Sequence, residues 1–239
     1  MALLIGNKYL AVCGATVTGV MALLLASSAL AGSGAPATVT VRIEGLSKQL
    51  LASTKVTTHT GSITKDGTPV GRCPATSAAG ALDQAAHHNW GGTYDKTYGL
   101  EITSILGESH PFTPAKDYWE IFVNNAAAQA GACALTLHSG EQLLFAAVPD
   151  SGPTEYPIAI TAPPHSTAGH AFTAKVVYYN AKGKAKPLAG ATVTVKGHSA
   201  KTGSAGTIKL TPGSAGTFVV NATKKGYIRA APLSLHVTG

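Results

Sequence analysis

The sequence predicts an α+β body followed by an all-β one. Three observations carry that expectation. Polar and apolar residues alternate over short segments along most of the chain, the pattern of half-buried strands. Only the segment from Ser77 to His88 has a helical pattern. Past a turn-rich stretch at 150–155 the pattern becomes strands alone.

In chain order, Lys8 is followed by an apolar run, Tyr9–Leu30, that ends in Ser28-Ala29-Leu30-Ala31. One basic residue, an apolar core and small residues in an A-x-A arrangement make a secretory signal peptide. Residues 1–31 are therefore expected to be a leader, cleaved after Ala31. A bilayer span needs roughly 20 apolar residues, so an uncleaved N-terminal anchor is the alternative, and membrane contact is expected only in that case. Either way residues 32–239 work outside the cytoplasm. Cys13 falls in the leader, which leaves Cys73 and Cys133 as an even pair in an oxidising compartment, where a disulfide is expected.

Thr38–Gly45 puts Val39, Val41 and Ile43 on one face and ends in glycine, a half-buried strand. A weaker strand covers Leu50–Thr60, and Asp66-Gly67-Thr68-Pro69 is a turn. Thr76 or Ser77 can cap the helix, Leu82 and the alanines give it an apolar face, and Gly80 weakens it. Asn89-Trp90-Gly91-Gly92 stops it. Strands follow at Tyr98–Leu106, Tyr118–Val123 and Gln142–Val148, with Asn124-Asn125 supplying turn chemistry. Beyond the linker the strands are Pro157–Thr161, Phe172–Tyr179, Ala191–Lys196, Thr207–Leu210, Thr217–Thr223 and Leu233–Val237. Gly-Ser-Ala-Gly-Thr occurs at 203–207 and again at 213–217, the turn spacing of a β-sandwich.

Charge divides at the same place. Residues 32–154 carry seven basic against ten acidic side chains, whereas residues 155–239 carry ten basic against Glu155 alone. A basic exported module suits anionic cell-wall polymer, lipid headgroups or surface proteins as partners. Nucleic acid is not expected, because export separates the chain from it and no aromatic platform accompanies the lysines.

No residue set identifies a reaction, so no enzyme and no cofactor are expected. His87-His88 lacks the spacing of a helical metal chelate. Gly197-His198-Ser199-Ala200-Lys201 lacks the second glycine of a nucleophile elbow. Asp117 and Glu120 lie on different faces of one strand, not across a cleft as glycoside hydrolysis requires. Trp90, Tyr94, Tyr98 and Tyr118 are the candidate ligand contacts, Trp90 first among them because it lies in a glycine-rich loop. Trp119 could join them on an apolar or sugar-facing surface, but it shares a face with Ile121 and Val123, and core packing is the favoured reading.

Tyr118-Trp119-Glu120-Ile121-Phe122-Val123-Asn124-Asn125, with Val39–Gly45, Ser77–Ala86, Gly99-Leu100-Glu101-Ile102, Gly131, Cys133 and Leu137–Phe145, carries a resemblance. Residues 37–149 resemble a bacterial exported family of unknown function related to the C-terminal domain of transcobalamin and intrinsic factor. The resemblance implies a β-grasp-like fold, one helix on a small mixed sheet. It also implies a small ligand, corrinoid-like, although the vitamin carriers share theirs with a helical domain absent here. Pro187–Val193 and Thr217–Tyr227 make residues 156–239 resemble a bacterial Ig-like or transthyretin-like sandwich. The expectation is thus a non-enzymatic exported binding or display protein. The alternatives are a corrinoid-like ligand carrier and a structural adhesive module on anionic cell wall.

Overall fold

A computed structural model of the chain describes residues 34–112 and 116–239. The expected leader, 1–31, and Cys13 lie outside the described residues.

The first half is built around β1 (Thr38–Glu44), β2 (Gln49–Thr57) and α1 (Ala78–Ala85). Then come β3 (Trp90–Asp95), β4 (Gly99–Ile105), β5 (Glu108–Ser109), β6 (Asp117–Val123), β7 (Ala126–Ala127) and β8 (Gln142–Pro149). One sheet has the order β2-β1-β8-β6-β7, with β1 and β8 parallel and the other pairs antiparallel. β3, β4 and β5 make a separate three-stranded sheet.

β8 shows why the sheet is central. Leu143-Leu144-Phe145-Ala146-Ala147-Val148 is a continuous apolar run, the mark of a strand covered on both faces. Leu143, Phe145 and Ala147 join Val39, Val41 and Ile43 of the neighbouring strand and the buried residues of α1 in the main core. Leu144, Ala146 and Val148 face the other way, toward Phe122 and Ile228.

The second half holds β9 (Tyr156–Thr161), β10 (His165–Thr167), β11 (Phe172–Tyr179), β12 (Ala185–Pro187) and β13 (Thr192–Val195). It continues with β14 (His198–Lys201), β15 (Thr207–Leu210), β16 (Gly216–Thr223), β17 (Tyr227–Ile228) and β18 (Leu233–Thr238). Two sheets face each other, β10-β18-β16-β13-β14 and β12-β11-β9-β17, with β15 also on β11. Their inward residues, Ile160, Val176, Val193, Val220 and Leu235 among them, form a second core.

The α+β, β-grasp-like expectation is corrected. Among the described residues strands account for 49% and helix for 5%, so this part of the chain is nearly all β and sandwich-like. Two physical causes account for the difference. α1 ends after eight residues, because His87 and His88 both turn to positive φ and reverse the chain. The segment Trp90–Ser109 then folds on itself as its own sheet and adds no strand to the mixed one.

Cys73 and Cys133 are joined in a disulfide. Its role is local as well as topological. The loop carrying Cys133 presents the carbonyls of Ala132 and Leu135 to the N–H groups of Ala79 and Ala78 at 3.1 and 3.2 Å. Those are the donors a helix start leaves open. Ser77 occupies the N-cap position without a side-chain capping bond, its work done by this loop.

The two halves meet at a buried ion network. Glu44, 1% exposed, accepts from Arg42 Nη1 and Arg229 Nη1, each at 2.7 Å, and from Gln49 Nε2 at 2.8 Å. Arg229 also donates to the carbonyls of Gly45 and Leu46, and Arg42 to the carbonyl of Arg229. Burial depresses the Arg42 pKa, with Glu44 pulling against it. Phe122, Leu144 and Ile228, with Tyr156, close the apolar part of the same seam.

Candidate functional site

β3, β4 and the start of β6 border a cleft of about 670 Å³, the size range of small-molecule sites. Its walls are mostly apolar and aromatic: Tyr98, Leu100, Ile102, Phe112, Tyr118 and Trp119. Phe112 and Tyr118 meet edge to face with ring centroids 5.8 Å apart. Tyr98 is 90% exposed and Phe112 54%, so both rings stand at the mouth. Trp119, 7% exposed, forms the floor with Ile121.

The backbone at Tyr98 and at Phe112 is fixed by carboxylates. Asp95 accepts the backbone N–H groups of Thr97 at 2.7 Å and Tyr98 at 2.9 Å, an Asx turn that sets the β3–β4 hairpin and lifts Tyr98 outward. Those bonds, Tyr98 first, lower the Asp95 pKa. Glu101 Oε1 accepts the Phe112 N–H at 2.7 Å. Burial, followed by the charge of Glu120, raises the Tyr118 hydroxyl to about 12. It therefore remains a hydrogen-bond donor at every ordinary pH.

Beneath the floor lies His110, 6% exposed. Its Nδ1 meets Asp117 Oδ1 at 2.6 Å and its Nε2 meets Glu108 Oε1 at 2.8 Å. The ring packs edge-on against Trp119, centroids 5.1 Å apart. Glu108 also accepts the Leu46 N–H at 2.8 Å. Burial alone would raise the Glu108 pKa, but the bonds from His110 and Leu46 outweigh it and leave it lowered. A Cβ on Gly45 would collide with the Glu108 carboxylate, so that residue must be glycine for Glu108 to reach both partners. The two carboxylates bind opposite nitrogens of one imidazole and do not converge on a point. Among the described residues no group of three or more His, Cys, Asp or Glu side chains is placed to hold a metal ion.

The structure places the four sequence-named residues in different roles. Tyr98 and Tyr118 come together on the cleft. Trp90 does not: it is 5% exposed, and its indole N–H donates to Asp83 at 2.8 Å. Asp83 also binds His88 Nδ1 at 2.7 Å, so α1, the reversal and Trp90 form one structural unit. Tyr94 packs against the main core, on the β3 face opposite Thr93 and Asp95, which border the cleft. Sequence reasoning missed Phe112, Leu100 and Ile102 and favoured the core over a binding surface for Trp119. Trp119 serves both, since a strand residue at a sheet edge can touch core on one side and cleft on the other. For Phe112 the only signal was an apolar ring beside proline, which pattern reading assigns to a loop.

A second cavity, about 480 Å³, lies in the sandwich between the β13–β14 hairpin and the Thr211–Ser214 loop. A third, about 150 Å³, lies along the seam between the halves and is lined by Arg42, Leu144 and Ile158 among others.

No protein-family profile matches the chain, and no curated protein matches it. Several solved structures share a broad relation at low identity. A candidate metal-binding protein of Ruminococcus gnavus is 14% identical over 48% of this chain and 99% of its own, TM-score 0.35. Haptocorrin in complex with Cbi is 18% identical over 48% of this chain, TM-score 0.35, and the matched part spans 25% of haptocorrin. The D00-D0 domain of intimin is 16% identical over 64% of this chain and 81% of its own, TM-score 0.24. No residue role is carried over from any of them.

Proposed function

We propose that the chain is an exported, non-enzymatic binding module, with residues 37–149 holding a small, flat, largely apolar ligand and residues 156–239 serving display or attachment. The observation that carries this is the aromatic cleft, with Tyr98 and Phe112 held at its mouth and Trp119 at its floor. A contiguous exposed apolar patch marks a binding surface, whereas apolar residues exposed singly do not. The binding reading draws support from His110, whose two ring nitrogens are both engaged by carboxylates, so that neither is open to a molecule in the cleft. Export is supported by the leader-like sequence together with the Cys73–Cys133 bridge. A corrinoid, which the sequence resemblance implies, is the competing ligand.

Nile red, a flat neutral dye, and cyanocobalamin serve as probes. The proposal expects saturable one-to-one binding of Nile red, read by its emission, and at least a tenfold loss of affinity in the Tyr98→Ala/Phe112→Ala double variant. Both positions are exposed, so the fold should survive. Saturable binding of cyanocobalamin but not of Nile red would replace the ligand class. Unchanged affinity in the double variant would remove the cleft from the proposal.

The charge division favours a second reading, attachment of the basic half to anionic cell-wall polymer. Residues 156–239 contain no aspartate or glutamate at all. Retention on isolated cell walls that collapses between low and high salt supports it; absent or salt-insensitive retention contradicts it.

A further inference from the structure

The 480 Å³ cavity in the sandwich is chemically unlike the aromatic cleft. Its rim carries Lys196 from the β13–β14 turn, His198 from β14 and Lys209 from β15, and its floor includes Phe172 and Phe218. The β13–β14 hairpin and the strand that follows it thus bring cationic or protonatable groups to one mouth. Lys196 is fixed there: its Nζ donates to Ser214 Oγ at 2.7 Å and lies 5.0 Å from the centre of the Phe218 ring. Ser214 and Gly213 come from the second Gly-Ser-Ala-Gly-Thr copy, which the binding site above does not use.

Two further facts separate this cavity from an ordinary lysine-rich surface. No carboxylate side chain exists anywhere in residues 156–239, so these lysines have no acidic partner on their own sandwich. Lys196 also adopts φ 46, followed by Gly197 at φ 78, the two left-handed positions of a two-residue hairpin turn. Asparagine, aspartate or glycine relieves that conformation; a lysine held in it costs on the order of 1 kcal/mol, a pattern that collects at ligand sites.

We propose that this cavity is an anion site that takes the phosphate group of a phosphorylated carbohydrate. The lysines and His198 supply charge and donors, Ser214 and Thr211 supply hydroxyls, and the phenylalanine floor receives the sugar ring. This deepens the attachment reading by localising it to one cleft.

The test is calorimetric titration of the full chain with glucose 1-phosphate, inorganic phosphate and glucose. The expected order is saturable one-to-one binding of glucose 1-phosphate, inorganic phosphate at least fivefold weaker, and no measurable heat from glucose. Lys196→Ala/Lys209→Ala should weaken glucose 1-phosphate at least tenfold. The charge-matched control Lys182→Ala/Lys184→Ala should change it less than twofold, and thermal unfolding checks that both variants fold. Equal loss in both double variants overturns the site in favour of diffuse charge, and inorganic phosphate binding as tightly as the sugar phosphate overturns the carbohydrate. Absence of any phosphate binding overturns the site even if the protein is retained on cell walls. Binding without wall retention leaves the site standing and removes the attachment reading.

Discussion

Gly80 illustrates how a single residue is chosen by its surroundings. Glycine inside a helix is unfavourable by roughly 1 kcal/mol relative to alanine. At this position, though, an added Cβ would collide with the carbonyl of Ala75. Gly80→Ala is therefore expected to destabilise by about 1–3 kcal/mol despite the gain in helix propensity, measured by urea unfolding. Two carboxyls near the cleft should give opposite pH responses. Burial raises Glu120 from its ordinary value of 4.5, so the folded chain holds this proton more tightly and loses stability as pH rises through that range. Glu120→Gln should stabilise at pH 7, by less than about 1 kcal/mol given its partial exposure, and the gain should vanish at acid pH. Glu108 is lowered from 4.5, so its contribution is present above that value and lost as pH falls through its folded one. At this scale the sequence was legible where chemistry is local: Asn124 and Asn125 take φ 50 and 66 in the expected hairpin turn. It was not legible for Trp90, since nothing in a glycine-rich loop reveals that Asp83 will accept its indole N–H.

At the scale of elements, the disulfide and the helix are one device. The Cys133 loop supplies the carbonyls that start α1, and the bridge closes a separation of 60 residues. The chain-entropy model gives roughly 4 kcal/mol for such a closure. Reduction should lower the unfolding free energy by up to about that amount, and hydrogen exchange should show the Ala78 and Ala79 amides losing protection before those of β1 and β8. Equal loss throughout would contradict the coupling. Strands with strong periodicity were readable, and the strand at Gln142–Val148 was expected, whereas its burial on both faces emerged only from the structure. Sheet membership was not readable. Whether Trp90–Ile105 joins the mixed sheet or pairs with itself depends on contacts among residues far apart in sequence, and periodicity says nothing about partners.

Across the whole molecule, the seam at Glu44 ties the halves together. Glu44 and Arg229 stand 185 residues apart, a pairing no sequence pattern could show. Arg229→Met removes one charge-assisted partner of a buried carboxylate, but Arg42 and Gln49 remain, so a loss of about 2 kcal/mol is expected. Unfolding should also become less cooperative, with separate transitions for the two cores seen by calorimetry. A single unchanged transition would mean that the apolar contacts of Phe122, Leu144 and Ile228 suffice. The charge contrast between the halves was readable from composition, and it places the two cavities in opposite settings: an aromatic one bordered by Asp95 and Glu101, and a cationic one bordered by Lys196 and Lys209.

Intermolecular nuclear Overhauser effects from bound Nile red test the aromatic cleft most directly. Cross-peaks to the ring protons of Tyr118, Phe112 and Trp119 are the predicted result. Cross-peaks to Trp90, or to Phe172 and Phe218 in the sandwich, would contradict it.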